Sequence, residues 1–284
     1  MSKATPTLDP GAFGVRSVED WLTEWPPQRG AAQWRDGKSA KELAKAWFPP
    51  TGGPVIPPGL RRLLESHPAT AAMRIEHAQG EKVVPLDDFK GETRNSDLVL
   101  TGSSQRNRVI VHVEAKADEP FGSNGRSVAD AARAATSPRS KVPERIANIS
   151  GLLFGSREVS PAVGALNYQL FYSVAGALMD AEEEGAEFAM FVVHELIPRD
   201  LTHRFKDEND GIERVMNAAQ IAANRAVFAQ FLDALVGTAP NAVCHGGVLW
   251  EIGGFRPFVD GRWSGTRIKR PITLLLGKAT DWTA

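Results

Sequence analysis

Residues 96–101, Ser-Asp-Leu-Val-Leu-Thr, and residues 108–117, Arg-Val-Ile-Val-His-Val-Glu-Ala-Lys-Ala, decide the fold that this sequence predicts. Both stretches have the apolar, β-branched character of strands, and the six polar or small residues between them suit the turn of an antiparallel hairpin. Asp97 opens the first strand, and Glu114 and Lys116 close the second. Because antiparallel strands place the start of one beside the end of the other, we expect these charged side chains to gather at one end of the hairpin.

Helices and strands on either side of this hairpin complete a sheet with helical cover. The stretch 187–197 is apolar at successive positions, as in a strand that is buried on both faces of a sheet. The other predicted elements begin with a helix at 59–66, strands at 73–77 and 83–86 joined around Gly80, and a helix at 128–135. They continue with a helix from Pro143 to near Gly155, a helix that opens at Ser160-Pro161 and ends before Gly185, a long helix at 211–235, and strands at 247–252 and 272–276. This order predicts an α/β or α+β sheet.

The first 58 residues predict an N-terminal arm in front of a main domain at 59–284. They combine a loose tail, two short helices and a linker with five prolines between Pro49 and Pro58. The arm holds four of the seven tryptophans, namely Trp21, Trp25, Trp34 and Trp47. They would suit a surface for bases or for a partner, but we expect them to pack the arm against the main domain.

Composition narrows the classes of function. The chain of 284 residues has 33 basic and 34 acidic side chains, so a polyanion would need a local basic patch rather than a general positive charge. Its one cysteine, Cys244, cannot form an internal disulfide and excludes a metal site made of several cysteines. No apolar run approaches the roughly 20 residues of a membrane span, and we expect a cytoplasmic protein without a membrane partner.

The charged end of the hairpin is the candidate site. Side chains alternate along a strand, so Glu114 and Lys116 point to the same face while Ala115 points to the other. Asp97 brings a second carboxylate to this end if the register of the hairpin allows it. Two close carboxylates repel each other unless one is protonated or a divalent cation such as Mg²⁺ or Mn²⁺ lies between them. Such an ion lowers the pKa of water and stabilises the charge of a phosphodiester under attack, while a lysine can hold the phosphate.

Asp97, Glu114, Ala115 and Lys116 resemble the motif of the PD-(D/E)xK nuclease superfamily. The resemblance covers about half of the chain, residues 59–197, where the predicted order of helix, strands, helix and strand is similar to that of the family. It implies an α/β restriction-endonuclease-like core, with Mg²⁺ or Mn²⁺ on Asp97 and Glu114 and with Lys116 acting on water or phosphate. Ser96 stands where the motif usually has proline.

The resemblance implies further site residues. The family often has a glutamate on its first core helix that completes the metal site, and Glu65 matches it, with Glu76 as the rival. Some members place a glutamine and a tyrosine on a helix after the third strand, and Gln169 with Tyr172 looks similar, although the spacing is one residue shorter.

Basic residues offer candidate contacts to nucleic acid. Lys141 and Arg145 follow the motif, and a later basic stretch interleaved with aromatic residues supplies Arg262, Arg267, Lys269 and Arg270. Arginine with aromatic residues suits phosphate contact and base stacking. A charged loop on the surface explains each stretch as well.

The function expected from these residues is metal-dependent hydrolysis of nucleic acid, of DNA rather than RNA, in bacterial defence or repair. An alternative is a catalytically inactive module of the same fold that binds nucleic acid or a protein partner, as a homodimer or as part of a defence complex. A plain structural ion pair of Glu114 with Lys116 or Arg94 is the third interpretation.

Overall fold

The computed structural model describes residues 4–28, 30–86, 89, 93–105, 107–122, 125–199, 205–206, 213–255, 268 and 270–283. The strands are β1 (Thr7–Leu8), β2 (Arg74–Pro85), β3 (Thr93–Ser104), β4 (Asn107–Lys116), β5 (Phe188–Pro198), β6 (Phe205–Lys206), β7 (Glu213–Arg214), β8 (Val243–His245), β9 (Leu249–Phe255) and β10 (Ile272–Thr283). The helices are α1 (Val18–Glu24), α2 (Ser39–Trp47), α3 (Pro58–Leu64), α4 (Pro68–Ala71), α5 (Val128–Ala134), α6 (Val142–Phe154), α7 (Pro161–Gly164), α8 (Tyr168–Glu183) and α9 (Ala218–Thr238).

An eight-stranded mixed sheet forms the centre, in the order β1-β2-β3-β4-β5-β10-β9-β8. The predicted hairpin is present, because β3 and β4 pair antiparallel from Ser104 and Asn107 to Leu98 and Val113. The predicted apolar strand β5 lies in the interior of the sheet and pairs parallel with both β4 and β10. The carboxyl ends of these three strands therefore share one edge of the sheet, and the α/β class is confirmed.

The two faces of the sheet are covered by different helices. One core includes side chains of α5, α6, α8 and α9, and we call this side the α8 face. The other core includes side chains of α2 and α3, and we call it the α3 face. Val113 and Ala115 belong to the core of the α3 face, so Glu114 between them points to the α8 face. None of the helices in the described part of the chain has the length and apolarity needed to cross a membrane.

The N-terminal residues belong to the core of the α3 face. Trp21 and Trp47 are buried there together with Leu98 and Val111 of the central hairpin, as the packing interpretation predicts. β1 adds to the sheet as a parallel neighbour of β2. The proline-rich stretch 49–58 consequently connects two parts of the chain that share one core.

Three element boundaries differ from the sequence prediction. β2 is one continuous strand, because Gly80 pairs with Leu98 and Lys82 pairs with Ser96 between the two strands that the sequence predicts. The helix predicted from Ser160 divides into α7 and α8, since Asn167 caps a new helix by accepting the N–H of Leu170 at 3.2 Å. The long helix begins at Ala218 rather than near residue 211, with Asn217 as its cap.

Replacing Gly80 by alanine tests how the N-terminal residues pack against the sheet. A Cβ atom at this position would lie 2.6 Å from the Trp25 ring, so the tryptophan has to move. We expect Gly80→Ala to lower the free energy of unfolding by about 1–3 kcal/mol, as overpacking does in other cores, measured by urea denaturation. The control is Gly237→Ala in α9, where a Cβ atom meets nothing within 4 Å. Equal stability of both variants would contradict the packing of Trp25 against Gly80.

Candidate functional site

The hairpin opens at Asp97. The last pair in the ladder is Leu98 with Val113, and beyond it β3 leaves β4. The half-buried Asp97 carboxylate then replaces the backbone of β3 as hydrogen-bond acceptor for β4, because its Oδ2 accepts the N–H of Ala115 at 2.7 Å. This bond holds Asp97 beside Glu114, as the sequence predicts.

Glu114 is the most buried carboxylate of the site, with 1% of the residue exposed. Its Oε1 accepts one hydrogen bond from Nζ of Lys116 at 2.7 Å and another from Nε2 of Gln169 at 2.6 Å. Lys116 also lies over the ring of Phe121, 5.2 Å from its centroid. The structure therefore brings Asp97, Glu114, Lys116 and Gln169 together.

The surrounding carboxylates keep Lys116 charged. Burial by itself lowers the pKa of a lysine, but the charges of Glu114, Asp97 and Glu119 outweigh burial and raise the pKa of Lys116 above its usual value. The amine is an ammonium ion at neutral pH, and it partly neutralises the acidic side chains around it.

Gln169 reaches Glu114 because of the break between α7 and α8. The Asn167 cap starts α8 there, which places Gln169 in the first turn of the helix.

Glu81 is an acid of the site that the sequence analysis missed. It lies between the pairs Gly80–Leu98 and Lys82–Ser96 of β2 and β3, which puts it across the sheet from Asp97. Its backbone has φ of +50°, a left-handed conformation that costs energy for a residue with a side chain. The amide of Asn95 donates to its carboxylate at 3.3 Å. The sequence predicts a turn around the neighbouring Gly80, and a residue in that turn is not expected to lie beside Asp97.

A cleft of about 440 Å³ joins these residues at the carboxyl end of β4. Its described lining is polar and consists of Gln28, Gln33, Ser39, Glu81, Asn95, Asp97, Glu114, Lys116, Glu119, Pro120, Gly122, Gln169 and Tyr172. Within this lining four carboxylates face one ammonium group. The cleft is therefore suited to a cation and repels a free anion.

The N-terminal residues form one wall of the cleft. Glu119 accepts the N–H of Ser39 at 2.9 Å, and Asp118 forms an ion pair of 3.3 Å with Lys38. Asp118 also accepts the N–H of Asn217, the residue that caps α9. These two acids therefore join the end of β4 to α2 and to the start of α9.

The donor atoms of the cleft fit a hard divalent cation. They are carboxylate and amide oxygens, which Mg²⁺ and Mn²⁺ prefer. Two buried acceptors of the lining, Oε1 of Gln169 and Oε2 of Glu119, have no hydrogen-bond donor from the described residues. A hydrated ion would supply such donors through its waters. Asp97 and Glu114 have no third carboxylate or imidazole that completes a set within 4.8 Å among the described residues, so water has to provide most of the coordination.

The two glutamates considered as the third acid lie elsewhere. Glu65 caps the end of α3, which packs on the α3 face, whereas Glu114 points to the α8 face. Glu76 accepts a hydrogen bond from Ser103 at 2.6 Å, near the turn end of the hairpin. Neither lines the cleft. The prediction that Glu65 joins Asp97 and Glu114 is therefore corrected, because α3 packs on the side of the sheet opposite to Glu114.

Three of the basic residues predicted to contact nucleic acid, Lys141, Arg145 and Arg270, are described by the structure, and none of them lines the cleft. Arg145 is 2% exposed and unavailable to a surface ligand. Lys141 is exposed, pairs with Glu144 at 2.9 Å and lies over the ring of Phe89. Arg270 donates to the carbonyls of Ala181 and Ala186, near the start of β5 and away from the carboxyl edge of the sheet. Arg262, Arg267 and Lys269 lie outside the described residues.

A buried chain of polar groups supports the site from the α8 face. His112 contacts Ser96 through Nδ1 at 2.7 Å and Asp180 through Nε2 at 2.9 Å. Lys82 donates to both carboxylate oxygens of Asp180 at 2.9 Å. Serine, histidine and aspartate also occur in hydrolases, but Ser96 is 2% exposed and cannot meet a substrate. The chain instead fixes β2, β3 and β4 to α8 next to Asp97.

Comparison with known proteins gives a family and no described function. A family model described as a domain of unknown function, DUF6946, matches residues 14–248. No curated protein and no solved structure matches the chain.

Asp180 makes the stability of the protein depend on acid pH. Burial raises the pKa of Asp180, but the bonds from His112 and Lys82 outweigh burial and lower it below the ordinary value of 3.8. A carboxyl group whose pKa is lowered in the folded state stabilises the fold fully when the pH is above its unfolded-state pKa. This stabilisation is lost as the pH falls through its folded-state pKa. We expect thermal melting to show a loss of stability below about pH 3.8 that is smaller in Asp180→Asn, where the lowered pKa values of Asp36, Glu195 and Asp281 still contribute.

The asparagine variant should also be less stable at neutral pH, by roughly 3–5 kcal/mol, because Lys82 loses its buried counter-charge. The exposed Asp233 on α9 provides the matched control. If Asp233→Asn and Asp180→Asn have the same stability and the same pH profile, the buried chain does not have the role given to it.

Proposed function

We propose that this chain, which belongs to the DUF6946 family, is a metal-dependent phosphodiesterase that hydrolyses nucleic acid. The observation that carries the proposal is the end of β4, where the buried Glu114 shares one oxygen between Lys116 and Gln169 and Asp97 is held alongside. A carboxylate pair with a lysine at one edge of a sheet can hold a divalent ion and a phosphate, as metal-assisted hydrolysis of a phosphodiester needs.

The order of elements supports a restriction-endonuclease-like core. β2, β3 and β4 form an antiparallel series, α8 covers one face, and β5 returns parallel to β4. The acids sit at the start and the end of the central hairpin, as the PD-(D/E)xK resemblance implies for Asp97 and Glu114.

The charge of the cleft supports a role for a cation. Four carboxylates and one lysine line it, so a phosphodiester meets repulsion unless positive charge is added. Asp97 and Glu114 would hold Mg²⁺ or Mn²⁺, with Glu81 and Glu119 available to its waters. When bound, the ion supplies a water of lowered pKa and stabilises charge on the phosphoryl group.

Lys116 and Gln169 would bind the phosphate and orient the metal ligand. Lys116 places an ammonium group where it can hold a phosphate oxygen as a point charge. Gln169 fixes the orientation of Glu114, and its unpaired Oε1 can accept a hydrogen bond from water. Hydrolysis adds the oxygen of water to phosphorus and breaks one phosphorus–oxygen ester bond, leaving a phosphate monoester and an alcohol.

Cleavage assays with Asp97→Asn test the proposal. Asparagine keeps an oxygen that accepts the N–H of Ala115, so the fold is preserved while one negative charge is lost. We expect the wild type to cut plasmid or single-stranded DNA with Mg²⁺ or Mn²⁺, and we expect Asp97→Asn and Glu114→Gln to lose at least about 100-fold in rate. RNA of the same sequence distinguishes the two nucleic acids.

Two glutamate variants serve as matched controls. Glu65→Gln on the α3 face and Glu76→Gln near the hairpin turn remove the same charge outside the cleft, and both should keep the wild-type rate. Wild-type protein that cuts none of these substrates, or Asp97→Asn that cuts as fast as wild type, would show that the proposal is wrong. Salt-sensitive DNA binding without cleavage would favour the inactive binding module.

Lys116→Met separates binding of the ion from catalysis. Without the ammonium group Glu114 is a buried anion without its charged partner, so Mn²⁺ should bind at least as tightly as in the wild type and should raise the melting temperature more. Cleavage should nevertheless fall by about 100-fold or more, because the phosphate loses its contact. Calorimetric titration with Mn²⁺ and the plasmid assay measure the two effects. Lys141→Met is the control, and loss of Mn²⁺ binding in Lys116→Met would contradict the assignment.

A further inference from the structure

A second group of ligand-type side chains lies on the α3 face of the sheet. His67 precedes α4, His245 ends β8, and Glu251 lies on β9. Glu251 alternates with Ile252, which packs in the core of the α8 face, so Glu251 points the other way. None of these three residues lines the cleft at the carboxyl end of β4, and His67 contacts Phe188 at the start of β5, so the second group is separate from the cleft.

The ligand atoms of this group converge. Nε2 of His67 lies 3.0 Å from Oε2 of Glu251, and Nε2 of His245 lies 3.1 Å from the same oxygen. The two rings meet edge to face with 4.4 Å between their centroids. One atom from each residue falls within 4.8 Å of the other two, and no other set of three described His, Cys, Asp or Glu residues does so.

We propose that His67, His245 and Glu251 form a binding site for a borderline transition-metal ion, with Zn²⁺ as the expected occupant. Tetrahedral zinc with bonds near 2.0–2.1 Å separates its ligand atoms by about 3.4 Å. The two distances of 3.0 and 3.1 Å need to open by only a few tenths of an ångström. Two imidazoles and one carboxylate, with water as the fourth ligand, are a common set for this ion.

The chemistry of the donors distinguishes this site from the cleft. Imidazole nitrogen suits Zn²⁺, Ni²⁺, Co²⁺ and Cu²⁺, whereas Mg²⁺ prefers oxygen. His67 and His245 therefore select against the ion that the carboxylates of the cleft would take. The proposed zinc site does not depend on nuclease activity.

Metal binding would replace the contacts of Glu251 with His67 and His245 by bonds to the ion, and it would also break one hydrogen bond to the backbone. Nδ1 of His67 accepts the N–H of Ala69 at 3.1 Å, so the ring carries its proton on Nε2 when it is neutral. With an ion on Nε2 the neutral ring would carry its proton on Nδ1, so the N–H of Ala69 would lose this acceptor. Zinc then joins the start of α4 to the hairpin of β8 and β9, where β8 is the exposed edge of the sheet.

Zinc titration of the full chain tests the site. Protein freed of metal by a chelator is titrated with Zn²⁺ in a calorimeter, with millimolar Mg²⁺ present to occupy the cleft. We expect one Zn²⁺ per chain and a higher melting temperature. The variant His245→Gln keeps a polar side chain next to Glu251 but removes an imidazole. It should bind Zn²⁺ at least about 100-fold more weakly. This loss exceeds the loss that follows mutation of a residue that only hydrogen-bonds to a metal ligand. Its melting temperature should no longer respond to zinc.

Two control variants keep the proposal open to refutation. Cys244→Ser removes an exposed thiol next to His245, and His77→Gln removes an exposed histidine of β2, so both should bind Zn²⁺ as the wild type does. The Co²⁺-loaded wild type should show visible d–d absorption without the charge-transfer band of a thiolate. The proposal is overturned if the wild type shows no saturable binding at micromolar Zn²⁺, if His245→Gln binds as tightly as the wild type, or if Cys244→Ser abolishes binding.

Discussion

Burial of the Glu114 carboxylate constrains three parts of the chain at once. A charge with so little access to water has to be paired inside the protein. Lys116 supplies the opposite charge from the same strand, and Gln169 adds a hydrogen bond from α8. Asp97 is fixed nearby because its carboxylate completes the hydrogen bonding of Ala115 where β3 leaves β4. The direction of α8 and the opening of the hairpin are thus coupled to one side chain.

Buried polar contacts extend this constraint through the domain. The chain of Ser96, His112 and Asp180 ties the hairpin to α8, and Asp118 and Glu119 tie the end of β4 to the N-terminal residues and to α9. Networks of this kind are costly when they are incomplete and therefore favour one arrangement over its alternatives. The N-terminal residues consequently help to shape the cleft as well as the core of the α3 face.

The two proposed cation sites follow the same principle with different donors. At the carboxyl edge of the sheet, the carboxylates and amides of the cleft offer hard oxygens. On the α3 face, two imidazoles and one carboxylate offer borderline nitrogen with oxygen. One ion would act on a substrate and the other would join a helix to an edge strand, so hydrated Mg²⁺ suits the first and a tightly held Zn²⁺ the second.

The sequence by itself determined the hairpin, the buried strand β5 and the meeting of Asp97 with Glu114 and Lys116, because alternation and antiparallel pairing act between residues close in the chain. It did not determine Glu81, whose left-handed backbone breaks the regular strand pattern, or the face on which α3 packs, which removed Glu65 from the cleft. Amphipathic periodicity shows that a helix has a buried side but not which face of the sheet it covers. The cluster of His67, His245 and Glu251 comes from distant parts of the chain, and only the tertiary structure, by packing α4 against the β8 and β9 hairpin, brings its ligand atoms within bonding reach of one ion.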